Sequence, residues 1–204
     1  MDIIKKLAQE LTIKEEQAKA AVQLIDEGNT IPFIARYRKE MTGALNDETL
    51  RNLHERLLYL RNLEEKKEQV INAITEQGKM TDDLKKKILA AETLVAVDDL
   101  YRPYRPKKQT RATKAKEKGL EPLANILLLQ ATSKSMEEEA QSFVDEAKGV
   151  TNAKEALAGA KDIIAEMIAD KADYRKSIRN CTMKQGRLVV KAKDEKAESV
   201  YEMY

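Results

Sequence analysis

The sequence has little of what most enzymes use for chemistry. Among its 204 residues it contains one cysteine, one histidine and no tryptophan. A single cysteine excludes an intrachain disulfide, and one cysteine with one histidine cannot build a Cys/His metal site. Only seven glycines and four prolines are present, and aromatic residues make up 4% of the chain. This composition argues against a turn-rich β-sandwich, and it fits a reducing, cytoplasmic setting.

Long apolar runs are also missing. The longest run near the middle covers residues 126–129, whereas a membrane-spanning helix needs about 20 apolar residues. The first eleven residues, MDIIKKLAQEL, place charges where a signal peptide needs its apolar core. No two glycines lie within five residues of each other, so the sequence lacks a glycine-rich phosphate loop. We therefore expect no membrane partner, no cofactor and no bound metal.

The residues that are abundant favour helices. Leu, Ala, Lys, Glu and Ile dominate the chain, and all except Ile have high helix propensity. The strongest pattern is a stripe of apolar residues at spacings of three and four, which predicts a long central helix over about 47–77. The stripe comprises Leu50, Leu53, Leu57, Leu60, Leu63, Val70 and Ile74. We predict an all-α fold, an elongated multi-helix domain with this helix as its spine.

Capping residues predict shorter helices before the spine. Asp2 is suited to cap a first helix, and Thr12 with Glu15 has the spacing of a capping box for a second. Gly28 follows as a natural stop, and Thr30 precedes a third short helix that ends by Gly43. Three short helices joined by tight turns predict a helix-turn-helix-like unit at the N-terminus.

Similar signals continue after the spine. Thr81 is suited to cap a helix, and Ser135 with Glu138 forms a second capping box for a helix that we expect to end at Gly149. Asn152 opens another helix, and Asp170 or Asp173 is expected to cap the next. Residues 188–192 predict a short strand, and residues 197–204 have the pattern of a helix that begins and is then cut off.

The net charge of +2 conceals an uneven distribution. Residues 101–118 carry eight Lys or Arg and one Glu, a net of +7, against −5 for the rest of the chain. We call residues 101–118 the strap. The charge pattern suggests a subdivision of the chain into a helical spine over 1–100, the strap over 101–118 and a second helical bundle over 119–204.

The strap begins with a tandem repeat, Tyr-Arg-Pro-Tyr-Arg-Pro. An arginine before a proline is biased toward extended backbone, so we predict a polyproline II conformation with the two tyrosines on one edge. Cations interleaved with flat rings suit a strand of nucleic acid. A structural interpretation also stands, in which the rings pack on the spine and the cations pair with acids. The candidate contact residues are Tyr101, Arg102, Tyr104, Arg105, Lys107, Lys108 and Arg111.

A second, smaller basic cluster lies earlier in the chain. Arg36, Arg38 and Lys39 surround Tyr37, and Arg36 and Lys39 share a face of a short helix. We include these three cations among the candidate nucleic-acid contacts.

No catalytic residues can be assigned. His54 and Cys181 fall in different predicted helices, and position 58, where a zinc protease motif needs a second histidine, is Leu58. Asp98 and Asp99 project in different directions and are expected to cap a turn or to pair with the arginines that follow. We therefore expect no enzymatic activity.

Four stretches resemble signatures of the bacterial Tex family of transcription accessory proteins. They are residues 26–40 followed by Thr42-Gly43, residues 99–108 followed by residues 110–112, residues 118–124, and residues 155–166. They occur in the family's order and extend over essentially the whole chain.

The resemblance implies the N-terminal helical region of a longer protein. The family continues into an RNase H-like domain, tandem helix-hairpin-helix elements and a C-terminal OB-type domain to which its RNA affinity is attributed. It implies a nucleic-acid partner, RNA more than DNA and mainly through those downstream domains, with RNA polymerase or the ribosome as candidate protein partners. The resemblance assigns no catalytic residue to this chain. Two functions remain open: a scaffold that itself touches nucleic acid, and a purely architectural or protein-interaction module.

Overall fold

The fold was examined in a computed structural model that describes residues 2–106 and 108–191. Within those ranges the chain is helical, with no named strand and one isolated antiparallel bridge between Asp145 and Val150. The all-α expectation is therefore confirmed. The helices are α1 Ile3–Leu11, α2 Glu15–Asp26, α3 Ile31–Tyr37, α4 Asp47–Glu76, α5 Asp82–Ala90, α6 Leu94–Tyr101, α7 Arg111–Glu117, α8 Glu121–Leu129, α9 Met136–Gln141, α10 Ala153–Ala169 and α11 Ala172–Gln185, with 3₁₀ turns at Arg102–Tyr104 and Glu146–Lys148.

Helix α4 is the predicted spine. Its 30 residues would extend about 45 Å at the usual helical rise. The side chain of Asn46 accepts a hydrogen bond from the amide of Thr49 and so caps its start. Every apolar residue of the predicted stripe is buried along one side of α4. Helices α1, α2, α3, α5 and α6 pack around that side, which makes α4 the centre of the first hydrophobic cluster.

One position of the stripe holds a buried charge. Lys67 is 2% exposed, at the gap that the apolar pattern leaves between Leu63 and Val70. Its ammonium donates to the Glu64 carboxylate at 2.8 Å and to the Leu89 carbonyl at 2.9 Å. Because Leu89 lies in the last turn of α5, this buried lysine fixes the C-terminus of α5 to the spine.

A second hydrophobic cluster forms around α10. Its buried residues come from α7, α8, α9 and α10, with Leu120 and Val150 from the connections. The side chain of Asn152 caps α10, as predicted, by accepting from the amide of Glu155. Leu123, Ala156, Ala160 and Ile163 are fully buried at its centre. Small alanine side chains on α7 and α10 let the two helices approach closely.

Two predicted helix caps are wrong. Thr12 does not open α2; it ends α1 in a left-handed conformation with φ of 55°. Helix α2 instead begins after Lys14, whose amide donates to the Gln17 side chain. Similarly, neither Asp170 nor Asp173 caps α11. Asp170 closes α10, and Lys171 is the N-cap of α11.

Two other boundaries also differ from the predictions. Helix α9 ends at Gln141 and not at Gly149. Gly149, with φ of +73°, instead closes the following 3₁₀ turn, beside the bridge from Asp145 to Val150. The strand predicted over 188–192 is absent from its described part, residues 188–191, where Leu188 is 95% exposed. Ala192 and the predicted final helix over 197–204 lie outside the described residues.

Candidate nucleic-acid interface

The strap begins with helical residues, so the polyproline II conformation predicted for its tandem repeat is wrong there. Helix α6 continues to Tyr101, and residues 102–104 form a 3₁₀ turn. Arg102 is helical, with φ of −51° and ψ of −42°. Pro103 is tolerated because it sits in the first turn of the 3₁₀ segment, where no backbone donor is needed. Arg105, also before a proline, is extended with ψ of 134°, as expected.

The two strap tyrosines face the protein. Tyr101 and Tyr104 are half-buried and pack against the first hydrophobic cluster. The Gln77 amide at the end of α4 donates to the carbonyl of Tyr104 at 3.0 Å. The guanidinium of Arg105 lies 5.8 Å from the centre of the Tyr101 ring. This packing is what the structural interpretation of the strap requires.

Charge pairs join this end of the strap, and the end of α6 before it, to the second half of the chain. Arg102 donates to the Asp170 carboxylate at 2.8 Å, and Asp170 is the residue that closes α10. Asp99 accepts from Arg175 at 2.6 Å and from Arg179 at 2.5 Å, both on α11. We call these five residues the charge clamp.

The expected pairing of Asp98 and Asp99 with the neighbouring arginines is wrong. Arg102, the nearest arginine, pairs with Asp170. The arginines of Asp99 come from α11, and Asp98 lies 3.7 Å from Lys66 of α4. The two aspartates point in different directions along α6, so each meets a different neighbour.

Asp99 is the buried centre of the clamp, at 5% exposure. Burial by itself raises the pKa of this carboxyl, but the hydrogen bonds and charges of Arg175 and Arg179 outweigh burial and leave the pKa below its usual value. The carboxylate is therefore ionised at neutral pH.

The clamp borders an open cleft of about 590 Å³ between the two hydrophobic clusters. Both acidic and basic side chains line this cleft, including Asp83, Lys87, Lys171 and Asp173. Since charges of both signs line it, the cleft does not present the uniformly positive surface that phosphates favour.

Some of the other strap cations have a hydrogen-bond or ion-pair partner in the protein, and others have no acidic partner. Arg111 lies 3.6 Å from Asp162, and Lys116 lies 3.1 Å from Glu121. Lys118 donates to the carbonyl of Gly149 at 2.6 Å. Within the described ranges, Lys108 and Lys114 are exposed and have no acidic partner. Lys107, a predicted contact, lies outside the described residues.

The smaller basic cluster lies on α3 and the loop after it. Arg36, Arg38 and Lys39 are all exposed there. Beside them are two exposed rings, Phe33 and Tyr37, whose centroids are 5.3 Å apart. We call these five residues the α3 surface. Phe33 was not a predicted contact, because the sequence does not reveal that Ile34, and not Phe33, is the apolar residue that α3 buries.

The two basic segments are not brought together. The α3 surface lies near the start of α4, where Asp47 and Arg51 line a groove with Arg36 and Lys39. The strap contacts the other end of α4 through Gln77. The spine therefore separates the predicted contact residues into two groups. The predicted helix-turn-helix-like unit, which would include α3, stays a prediction.

Comparison with known protein families gives two matches along the chain. The model of the Tex-like protein N-terminal domain matches residues 1–75, and the model of the Tex central region matches residues 131–204. The first match covers most of the first hydrophobic cluster, the second covers half of the buried residues of the second cluster, and the strap lies between the two matched ranges.

Individual relatives are also similar over nearly the whole chain. The chain is 47% identical over 180 residues to "Transcriptional accessory protein Tex" of Neisseria gonorrhoeae, which covers 88% of the chain and 23% of that protein. It is 46% identical to "Protein tex" of Bordetella pertussis, covering 93% of the chain and 24% of that protein. A human protein, "S1 RNA-binding domain-containing protein 1", is 32% identical over 90% of the chain and 18% of its own length.

The chain thus spans about a quarter of the length of the bacterial relatives. Two of the four stretches that resemble Tex signatures, residues 26–40 and residues 155–166, lie within the ranges that the family models match. The chain belongs to the Tex-like family, of which it contains the N-terminal domain and sequence of the central region.

Proposed function

We propose that the chain is the non-catalytic N-terminal scaffold of an RNA-binding transcription accessory protein that works in the cytoplasm. The names of the Neisseria and human relatives support transcription and RNA as the setting. In the full-length protein, regions beyond this chain supply most of the RNA affinity, and RNA polymerase or the ribosome is the protein partner. The part of the chain that the structure describes contains no helix long and apolar enough to cross a membrane.

The observation that carries the RNA contact is a set of exposed cations without acidic partners. Within the two basic segments they include Arg36 and Lys39 on the α3 surface and Lys108 and Lys114 in the strap, with partners considered among the described residues. Elsewhere pairing is common: all three arginines of α4, Arg51, Arg56 and Arg61, are paired with carboxylates. Unpaired surface cations keep their full attraction for phosphates.

The absence of catalysis is part of this proposal. His54 lies on α4 beside a small groove, and Cys181 is exposed on α11. Among the described residues the only hydrogen bond of Cys181 is to Gln185, at 3.7 Å. These positions offer no nucleophile with an adjacent base, so we assign the chain a binding role.

A salt titration with single-stranded RNA tests the proposal. Fluorescence anisotropy of a labelled, unstructured oligonucleotide measures its affinity for the chain from about 20 to 200 mM salt. If four phosphates are neutralised, log K falls against log salt with a slope of about −3. Absence of binding at the lowest salt would contradict the proposal.

Charge reversals show where binding takes place. Lys108→Glu with Lys114→Glu should weaken binding and reduce the salt slope by about 1.4, since each contact contributes about 0.7. Lys154→Glu with Lys161→Glu is the matched control, because it reverses two exposed lysines on α10. Equal losses in the two double variants would show that only total charge matters.

A second candidate, a purely architectural or protein-interaction module, is favoured by the engaged strap cations. Arg102 and Arg111 face Asp170 and Asp162, respectively, and the strap tyrosines pack on the first cluster. An open groove between α10 and α11, lined by Ile168, Tyr174 and Ile178, offers an apolar surface for a protein. If the chain binds no RNA at low salt while strap substitutions lower its melting temperature, this candidate replaces the first.

A further inference from the structure

We propose that the α3 surface binds single-stranded RNA, with bases stacked on Phe33 and Tyr37 and phosphates held by Arg36 and Lys39. The inference rests on the proposed function and locates within it the site where bases, and not only phosphates, are contacted. It also assigns a role to Phe33, a residue that is not part of the basic cluster identified in the sequence.

The first argument is the exposure of the two rings. Phe33 is 37% exposed and Tyr37 is 61% exposed, whereas Ile34 on the same short helix is fully buried. Residues four apart share a helix face, so the two rings lie together on one exposed side of α3. Their planes meet at 45°. Two neighbouring exposed rings form a stacking platform that is open to any unpaired base.

The second argument is the charge beside the rings. The guanidinium of Arg38 lies 5.2 Å from the centre of the Phe33 ring, so cation and ring are presented together. Arg36 and Lys39 line an open groove of about 410 Å³ with Arg51 and Asp47. Asp47 is the one acid in that groove, and it is 2.6 Å from Arg51. The groove therefore keeps two positive charges for a ligand.

The third argument is that the loop carrying these cations is held in place by buried groups. Thr42 is fully buried, and its hydroxyl donates to the carbonyls of Arg38 and Lys39. The side-chain amide of Gln17, on α2, donates to the carbonyls of Thr42 and Gly43.

Backbone conformation adds to this constraint. Gly43 and Ala44 have φ of +59° and +62°, two consecutive left-handed residues. A Cβ at Gly43 would lie 2.7 Å from the Gln17 amide nitrogen, so glycine is needed there for both reasons. An exposed cluster on a fixed loop loses little conformational entropy on binding, which favours affinity.

The chemistry of this surface selects single strands. Stacking on a ring requires a base that is not already paired, and the narrow major groove of an RNA duplex excludes side chains. The large exposed apolar side chains of this segment are Phe33, Tyr37 and Met41, and three cations lie beside them, so the surface suits a polyanion better than an apolar peptide. We therefore assign the site to single-stranded RNA, and we treat a protein ligand as an outcome of the test.

The test compares three variants of the chain by anisotropy with an unstructured, labelled RNA of about 12 nucleotides at constant salt. Phe33→Leu with Tyr37→Leu removes the flat rings and keeps apolar side chains. We expect its affinity to fall at least about tenfold, because stacking on one ring alone accounts for 5- to 150-fold. Its salt slope should stay unchanged, since the phosphate contacts remain.

The other two variants separate charge from stacking. Arg36→Gln with Lys39→Gln should lower the salt slope by about 1.4. Tyr174→Leu is the matched control, because Tyr174 is also an exposed ring (46%) with a cation, Lys171, 5.3 Å from its centre. This control should bind like the wild type. Far-UV circular dichroism should show equal helicity in all variants, since the substituted side chains are exposed.

The outcomes separate this inference from the function on which it rests. If the wild type binds RNA and the Phe33/Tyr37 variant binds equally well, the α3 site is wrong and the proposed function stands. If the wild type binds no RNA, both are wrong. Tighter binding of a matching DNA strand, an RNA duplex or a poly-glutamate peptide would also overturn the assignment to single-stranded RNA.

Discussion

The strap and the α3 surface are both basic and both contain tyrosine, but they use these residues differently. In the strap, Tyr101 packs against the first cluster and Arg102 pairs with Asp170. On the α3 surface, Tyr37 is 61% exposed and Arg36 has no acidic partner among the described residues. The segment with the higher charge density therefore contributes more to holding the molecule together. The number of cations in a segment does not tell how many are available to a ligand.

The largest expected effect concerns the charge clamp. Asp99→Asn removes the carboxylate that Arg175 and Arg179 share, and it leaves two arginines without a partner. We expect a loss of about 2.5 kcal/mol in unfolding free energy, somewhat below the range for fully buried pairs because the arginines are about one-third exposed. Urea denaturation followed by circular dichroism measures this loss. Asp98→Asn, next to it and loosely placed near Lys66, should cost less than about 0.5 kcal/mol.

A smaller loss of stability is expected when a tyrosine is replaced. Replacing one tyrosine in each segment compares the strap with the α3 surface directly. Tyr101→Ala removes a half-buried ring from the first cluster, and we expect a cost of about 2 kcal/mol. Tyr37→Ala removes an exposed ring and should cost less than about 0.5 kcal/mol. Thermal melts of the two variants give the comparison. Equal changes in melting temperature would show that the two rings do not differ in their structural role.

Substitution of an arginine should also destabilise the protein more in the strap than on the α3 surface, but with a smaller difference than for the tyrosines. Arg102→Gln breaks the pair with Asp170, whose side chain is 12% exposed, and should cost about 1 kcal/mol. Arg36→Gln breaks no ion pair among the described residues and should leave stability unchanged within error. A larger loss in Arg36→Gln than in Arg102→Gln would reverse the contrast between the two segments.

Mild acid, between pH 7 and 5, should have the smallest effect. The pKa of Asp99 is lowered in the folded protein, so its stabilising contribution is present above the unfolded pKa, near 3.9, and is lost as pH falls through the folded pKa. The stability difference between the wild type and Asp99→Asn should therefore be constant from pH 7 to 5 and shrink below about pH 4. Urea midpoints at each pH test this, and a difference that grows on acidification would contradict the sign.

The sequence predicts local features of this fold well. The apolar stripe of α4 and the caps at Asp2, Thr81, Ser135 and Asn152 involve residues within a turn of each other, and all are confirmed. Errors arise where only two or three residues separate two helices. Thr12, for example, has a side chain suited to cap the start of α2, but in the structure it is the left-handed C-cap that ends α1.

Other features depend on distant parts of the chain. The polyproline II prediction fails because a proline at a first helical turn is compatible with α6 continuing into a 3₁₀ turn, and the bias on the preceding arginine is weak. The clamp pairs residues 68 to 80 positions apart. No local pattern connects them. For the same reason the sequence does not reveal which candidate cations are paired and which are free.

The length of α4 has a mechanical consequence. From Arg51, beside the α3 surface, to Gln77, which holds the strap, the helical axis advances about 39 Å. In a rigid helix of this length, a small rotation about one end moves the other end by a large distance. A rotation of roughly 10° about the strap end would carry the α3 surface through roughly 7 Å, about the width of a nucleotide base. A ligand or substitution that loosens or tightens the clamp would then change the position of the α3 surface.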